Sequence, residues 1–136
     1  MNNIDMIVVN SKEKLEELIE RRIEEQGPDC DLNDIDVSRI DDMSHLFYWS
    51  KFNGDISEWS VSNVRDMKYM FYRSEFTGDI SKWDVSNVRD MSEMFSYSNF
   101  NGDISNWNVS NVENMNYIFA YSKFNGDISN WSRGLR

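Results

Sequence analysis

The apolar residues of this chain fall into two regimes. Across residues 10–26 they recur at helical spacing, with Leu15, Leu18, Ile19 and Ile23 on one face. Asn10 with Glu13 has the form of a capping box at the start of that helix. Gly27 ends it and Pro28 prevents its continuation. The short apolar run Met6 to Val9 just before it reads as an edge strand. From Asp31 onward no single period describes the chain. Instead a whole block of positions returns: Phe52, Phe76, Phe100 and Phe124 are spaced by 24 residues, and so are Trp59, Trp83, Trp107 and Trp131.

The segments beginning at Phe52, Phe76 and Phe100 align without gaps, and a fourth begins at Phe124. A degenerate copy starts at Asp31, with Ile35 in the tryptophan column and Cys30 in the glycine column. Within one copy the apolar positions are Phe76, Ile80, Trp83, Val85, Val88, Met91, Met94 and Phe95. Ile80, Trp83 and Val85 suit an extended stretch that turns a corner. Val85, Val88 and Met91 step by three. The RDMSEMF segment suits one or two turns of helix or 3₁₀, capped by Ser86 or Asn87, with Asp90 in its first turn. Gly54, Gly78 and Gly102, with Gly126, precede an Asp, and Asn-Gly in three of these four copies predicts turns with positive φ.

One copy has too few apolar residues to fold alone, whereas stacked copies build a continuous core. The fold expected is an α/β solenoid. It is a leucine-rich-repeat-like stack of 24-residue coils, short strands plus short helical turns, with an N-terminal capping helix. Residues 1–30 form the strand and helix cap and residues 31–136 the repeat solenoid, together one structural domain. The helix is the lid over the first coil, whose core and strand edges are otherwise open. After Trp131 only SRGLR follows, so the C-terminal coil end is the less closed one, and a homodimer through that end is one alternative.

Charge narrows the function. Twenty-four acidic against 14 basic residues leave a net charge of −10. That argues against direct nucleic-acid binding, which needs clustered Lys and Arg, and against anionic membranes. It favours solubility and basic partners. No apolar run is long enough to cross a bilayer, and MNNIDMIVVN lacks the basic and long apolar regions of a signal peptide. As written the chain reads as cytoplasmic, and as surface or secreted if a leader has been trimmed. A lone Cys30 and a lone His45, 15 residues apart, offer no disulfide, no two-histidine metal site and no obvious nucleophile with its base. No phosphate loop or dinucleotide fingerprint is present. The chain is expected to be no enzyme and to need no cofactor or metal.

The repeating polar columns have structural readings. Asp55, Asp79, Asp103 and Asp127 stack in one, and Asp42, Asp66, Asp90 and Asn114 in another. A calcium ladder is one reading; local turn and cap hydrogen bonds are the other, and the preferred one. Ser62-Asn63, Ser86-Asn87 and Ser110-Asn111 suggest a polar ladder, and the tryptophans a stacked core. The varying columns carry the functional signal. One reads Trp49, Arg73, Tyr97, Tyr121; the other reads His45, Tyr69, Glu93, Tyr117. Tyr48 and Tyr72 belong to a neighbouring column that becomes Ser96 and Ala120. Aromatics with arginine are the composition of protein-binding hot spots. His45, Trp49, Tyr69, Arg73, Tyr97, Tyr117 and Tyr121 are therefore the candidate binding face; the competing reading is that these rings only cover coil edges.

The repeat GDISKWDVSNVRDMSEMF, with its Gly-Asp-Ile-Ser, Trp, Val-Ser-Asn-Val and Met-Phe, resembles the BspA-like leucine-rich-repeat surface proteins, also recognised as a mycoplasma-lipoprotein-type repeat. The lead-in from Lys14 to Ser38 resembles that family's N-terminal cap, and the resemblance covers roughly residues 11–131. It implies a leucine-rich-repeat-like solenoid from bacteria or their mobile elements, and for surface members adhesion and binding of host proteins. The chain as written lacks their signal sequence, lipid-attachment cysteine and wall anchor. The function expected is a non-catalytic protein-binding module. The alternatives are a small acidic inhibitor, of phage or mobile-element type, blocking a basic nucleic-acid enzyme, and an adhesin-like surface fragment.

Overall fold

The structure is a computed structural model that describes residues 5–131. What closes the C-terminal end after Trp131 falls outside those residues, as do the first four positions.

Helix α1 spans Lys12–Gln26. Its N-cap is Ser11, whose side chain accepts the Lys14 N–H at 3.2 Å, rather than the expected Asn10. Asn10 is drawn away: its side-chain oxygen accepts from the Arg39 guanidinium at 3.0 Å, leaving the serine hydroxyl to cap. Gly27 ends the helix at φ 94°, its N–H bonded to the Ile23 carbonyl. Before the helix, β1 (Ile7–Val8) pairs in parallel with β2 (Ile35–Asp36), with Ile7 opposite Ile35. Leu15 and Ile19 are buried and Leu18 and Ile23 half-buried against the first copy. Polar ties hold the helix there. Arg22 forks onto Asp34 at 2.9 and 2.6 Å, and Lys12 reaches the Ser44 hydroxyl at 2.9 Å.

The short helices expected after Ser86 or Asn87 do not form. Residues 44–49, 68–73, 92–97 and 116–121 are hydrogen-bonded turns. The reason is how their N–H groups are shared. Leu46, Tyr48 and Ser50 donate back three residues, to Met43, His45 and Phe47. The alternate residues Met43, His45, Phe47 and Trp49 donate instead to the carbonyls of Asp66, Lys68, Met70 and Tyr72 in the next copy, at 2.8–3.0 Å. An α-helix would keep all of these donors within its own segment. The same four rungs join Met67, Tyr69, Phe71 and Arg73 to the third copy, and Met91, Glu93, Phe95 and Tyr97 to the fourth. Successive copies thus lie on one another, with Asp42, Asp66, Asp90 and Asn114 as parallel bridges. Among the described residues the only sheet is the β1–β2 pair, and Ser129–Trp131 form a 3₁₀ turn.

The repeated apolar positions form columns. Trp59, Trp83, Trp107 and Trp131 stack with centroids 6.2–6.5 Å apart. Each indole N–H donates to a buried carbonyl of the preceding copy, from Leu32, Ile56, Ile80 and Ile104, at 2.9–3.1 Å. Burying an indole is favourable only with its donor satisfied, so this bond fixes the ring's depth as well as its plane. Phe52, Phe76, Phe100 and Phe124 stack at 6.0–6.4 Å, and Phe47, Phe71, Phe95 and Phe119 at 5.6–5.8 Å.

The aspartate columns make local turns. Ser57, Ser81, Ser105 and Ser129 donate their N–H groups to Asp55, Asp79, Asp103 and Asp127 at 2.9–3.0 Å. The hydroxyl and N–H of the following serine hold Asp79 and Asp103 below the ordinary carboxylate range. Among the described residues no group of three or more His, Cys, Asp or Glu is placed to hold a metal ion. Asn63, Asn87 and Asn111 donate side-chain N–H bonds to Ser38, Ser62 and Ser86 carbonyls at 2.7 Å, forming the expected polar ladder at the surface.

The repeat glycines differ from expectation. None of Gly54, Gly78, Gly102 and Gly126 has positive φ; Gly27 is the one described glycine that does. What they supply is room. A Cβ on Gly54 would lie 1.8 Å from the Cys30 carbonyl oxygen, whereas one on Gly102 would meet the Phe100 ring edge at 2.8 Å. Backbone cannot yield as a ring edge can. Gly54→Ala is therefore expected to cost about 2 kcal/mol, and Gly102→Ala less, as read from denaturant midpoints.

Candidate functional site

The turns that carry the rungs dictate where the site lies. Each turn segment holds three overlapping hydrogen-bonded turns, and in the first and the last of them the third residue takes a positive φ, where Gly or Asn is usual. His45 (φ 61°) and Trp49 (57°) do so in the first copy, followed by Tyr69 (58°) and Arg73 (51°), Glu93 (53°) and Tyr97 (58°), Tyr117 (58°) and Tyr121 (55°). These are all the described non-glycine residues at positive φ, and they are the two varying columns. The left-handed region costs an ordinary side chain roughly 1–2 kcal/mol. No glycine or asparagine relieves it at any of the eight positions. Sequence reasoning missed the strain because the usual signal, a turn glycine, is absent.

Six of the seven expected binding residues stand together, and Tyr117 occupies the next position of its column without a ring partner among the described residues. In one ladder the Arg73 guanidinium carbon lies 4.6 Å from the Trp49 ring centroid and 4.0 Å from that of Tyr97. Tyr121 continues it, 5.1 Å from Tyr97 and nearly parallel. In the second, His45 stacks on Tyr69 at 4.9 Å, and the Tyr69 hydroxyl donates to Glu93 Oε2 at 2.6 Å. That bond pushes the Tyr69 pKa up to about 12. Tyr117 ends this ladder. Tyr48 and Tyr72 add a third stack at 5.2 Å. Trp49, Tyr117 and Tyr121 are 60%, 73% and 82% exposed, whereas Tyr69 and Tyr72 are half-buried.

Equivalent rings are 4.9–5.2 Å apart on this face, against 5.6–5.8 Å in the Phe47 column and 6.2–6.5 Å in the tryptophan column.

The family model of Mycoplasma protein of unknown function, DUF285, matches residues 14–131. The chain belongs to this family. No curated protein and no solved structure matches it. In this DUF285 chain the match takes in α1 from Lys14 and every copy through Trp131, so both ladders lie inside it.

Two groups of this DUF285 face can be tested directly. Burial, then the nearby Lys12 and Lys68 charges, hold the His45 pKa below its ordinary 6.5. The unfolded chain then binds the proton first as pH falls through about 6.5, so folded-state stability declines there and levels off once the folded imidazole is also charged. His45→Gln should remove this component from the stability profile between pH 7 and 5, and an NMR titration of the one histidine should give a midpoint below 6.5. Tyr117, strained and without a ring partner among the described residues, is the second. Tyr117→Asn should raise stability by up to about 1 kcal/mol, as measured by thermal or denaturant unfolding. A loss would mean that the tyrosine supports the fold.

Proposed function

We propose that this chain is a non-catalytic protein-binding module. Its leucine-rich-repeat-like solenoid is the rigid support, and the ladders of His45, Trp49, Tyr69, Arg73, Tyr97, Tyr117 and Tyr121 are the docking face. The observation that carries the reading is that both candidate columns sit at strained backbone positions. At each, a glycine would relax the backbone, yet a large aromatic or charged side chain stands there. Strain kept where it does not help folding points to a use for the side chain. Trp, Tyr and Arg are the residues that dominate interface energetics. Rings already stacked on one another lose little freedom when a partner covers their edges. The BspA-like resemblance of the repeat agrees with a binding role.

The net charge of −10 supports a second reading, a small acidic inhibitor seated on a basic groove. The two separate by salt. Affinity capture with the wild-type chain and with Trp49→Ala, Tyr97→Ala and Tyr121→Ala, washed at low and high salt, tests both. The binding-face reading expects salt-resistant capture that falls at least tenfold, about 1.4 kcal/mol, in the alanine variants. Capture of the same partner unchanged by all three substitutions would remove the face. Capture lost steeply with salt would favour the inhibitor.

A further inference from the structure

We propose that Arg73 is a carboxylate clamp, so that the partner of the ladder face presents an acidic peptide segment. This rests on the docking-face reading and adds the chemistry of its central contact. The Arg73 guanidinium is held between two ring planes, Trp49 on one side and Tyr97 on the other, with the Tyr72 ring 6.0 Å away. It is the only arginine so stacked among the described residues. A guanidinium stacked on aromatic rings keeps its in-plane edge of N–H donors available. That edge matches the two oxygens of a carboxylate. The stacking fixes the plane in advance, so less rotamer freedom is lost on binding.

The chain itself leaves this edge free. Arg22 is taken by Asp34, Arg39 by Asn10 and Arg89 by Glu113. Arg73 makes no ion pair among the described residues, although acidic residues outnumber basic ones by 24 to 14. The acid of the adjacent ladder, Glu93, is occupied by the Tyr69 hydroxyl at 2.6 Å. The overall negative charge is screened beyond about 8 Å at physiological ionic strength, whereas the clamp acts at contact.

The test uses the full chain and an N-acetylated, C-amidated tetraglutamate peptide, with tetraglutamine and inorganic phosphate as controls. The readouts are the side-chain N–H resonances of Arg73 and of the Trp49 indole, with Arg21 and Arg65 as unstacked arginines for comparison. Tetraglutamate should shift Arg73 and Trp49 saturably and tetraglutamine should not. Arg73→Lys, which keeps the charge and loses the planar fork, should weaken the effect at Trp49 at least tenfold. A shift at Arg73 no larger than at Arg21 and Arg65, or a Trp49 response that survives Arg73→Lys in a chain with an unchanged melting curve, would overturn the clamp. A stronger response to phosphate than to tetraglutamate would overturn the carboxylate assignment. In the capture experiment, binding lost in Tyr121→Ala yet intact in Arg73→Lys sinks the clamp alone, whereas binding intact in both sinks the ladder face with it.

Discussion

Everything in this chain beyond the cap depends on alternate N–H groups leaving their own turn. Met43, His45, Phe47 and Trp49 hand their donors to the next copy, while the residues between them close the local turn. Neither an α-helix nor a β-strand divides its donors this way. A helix spends all of them internally and a strand spends none. The division keeps each copy a turn rather than an element, and it sets a repeat distance close to strand spacing with almost no strand present. The price is the left-handed backbone at the third position of two turns per copy.

That rung pattern explains why the core is columnar. Once equivalent residues are stacked, a tryptophan meets a tryptophan and a phenylalanine meets a phenylalanine. Each indole can then use the carbonyl of the copy before it. Stability in such a stack is carried by nearest-neighbour contacts, so the ends differ from the middle. At the first copy α1 supplies the missing neighbour, with Leu15 and Ile19 buried and Arg22 forked onto Asp34. At the last copy Met115, Phe119, Phe124 and Ile128 are only partly buried, while their counterparts Met91, Phe95, Phe100 and Ile104 are fully covered.

Much of this was legible in residues and some was not. The 24-residue period, the identity of the buried positions and the lid helix followed from apolar recurrence alone. The edge strand at Ile7–Val8 followed from a short apolar run. The local geometry of the repeat did not follow. Met91, Met94 and Phe95 are spaced as a helical turn would space them, but i to i−3 turns whose alternate donors point outward give the same spacing. Asn-Gly suggested positive φ at the glycines. The structure puts positive φ at His45, Trp49 and their equivalents, which carry no turn-residue signature, and uses Gly54 for close passage over Cys30. Ser11 rather than Asn10 caps α1 because a partner 29 residues away, Arg39, claims the asparagine. Composition cannot show such long-range competition. The candidate residues were found for a different reason than the one that now distinguishes them: they vary between copies, and they are also strained.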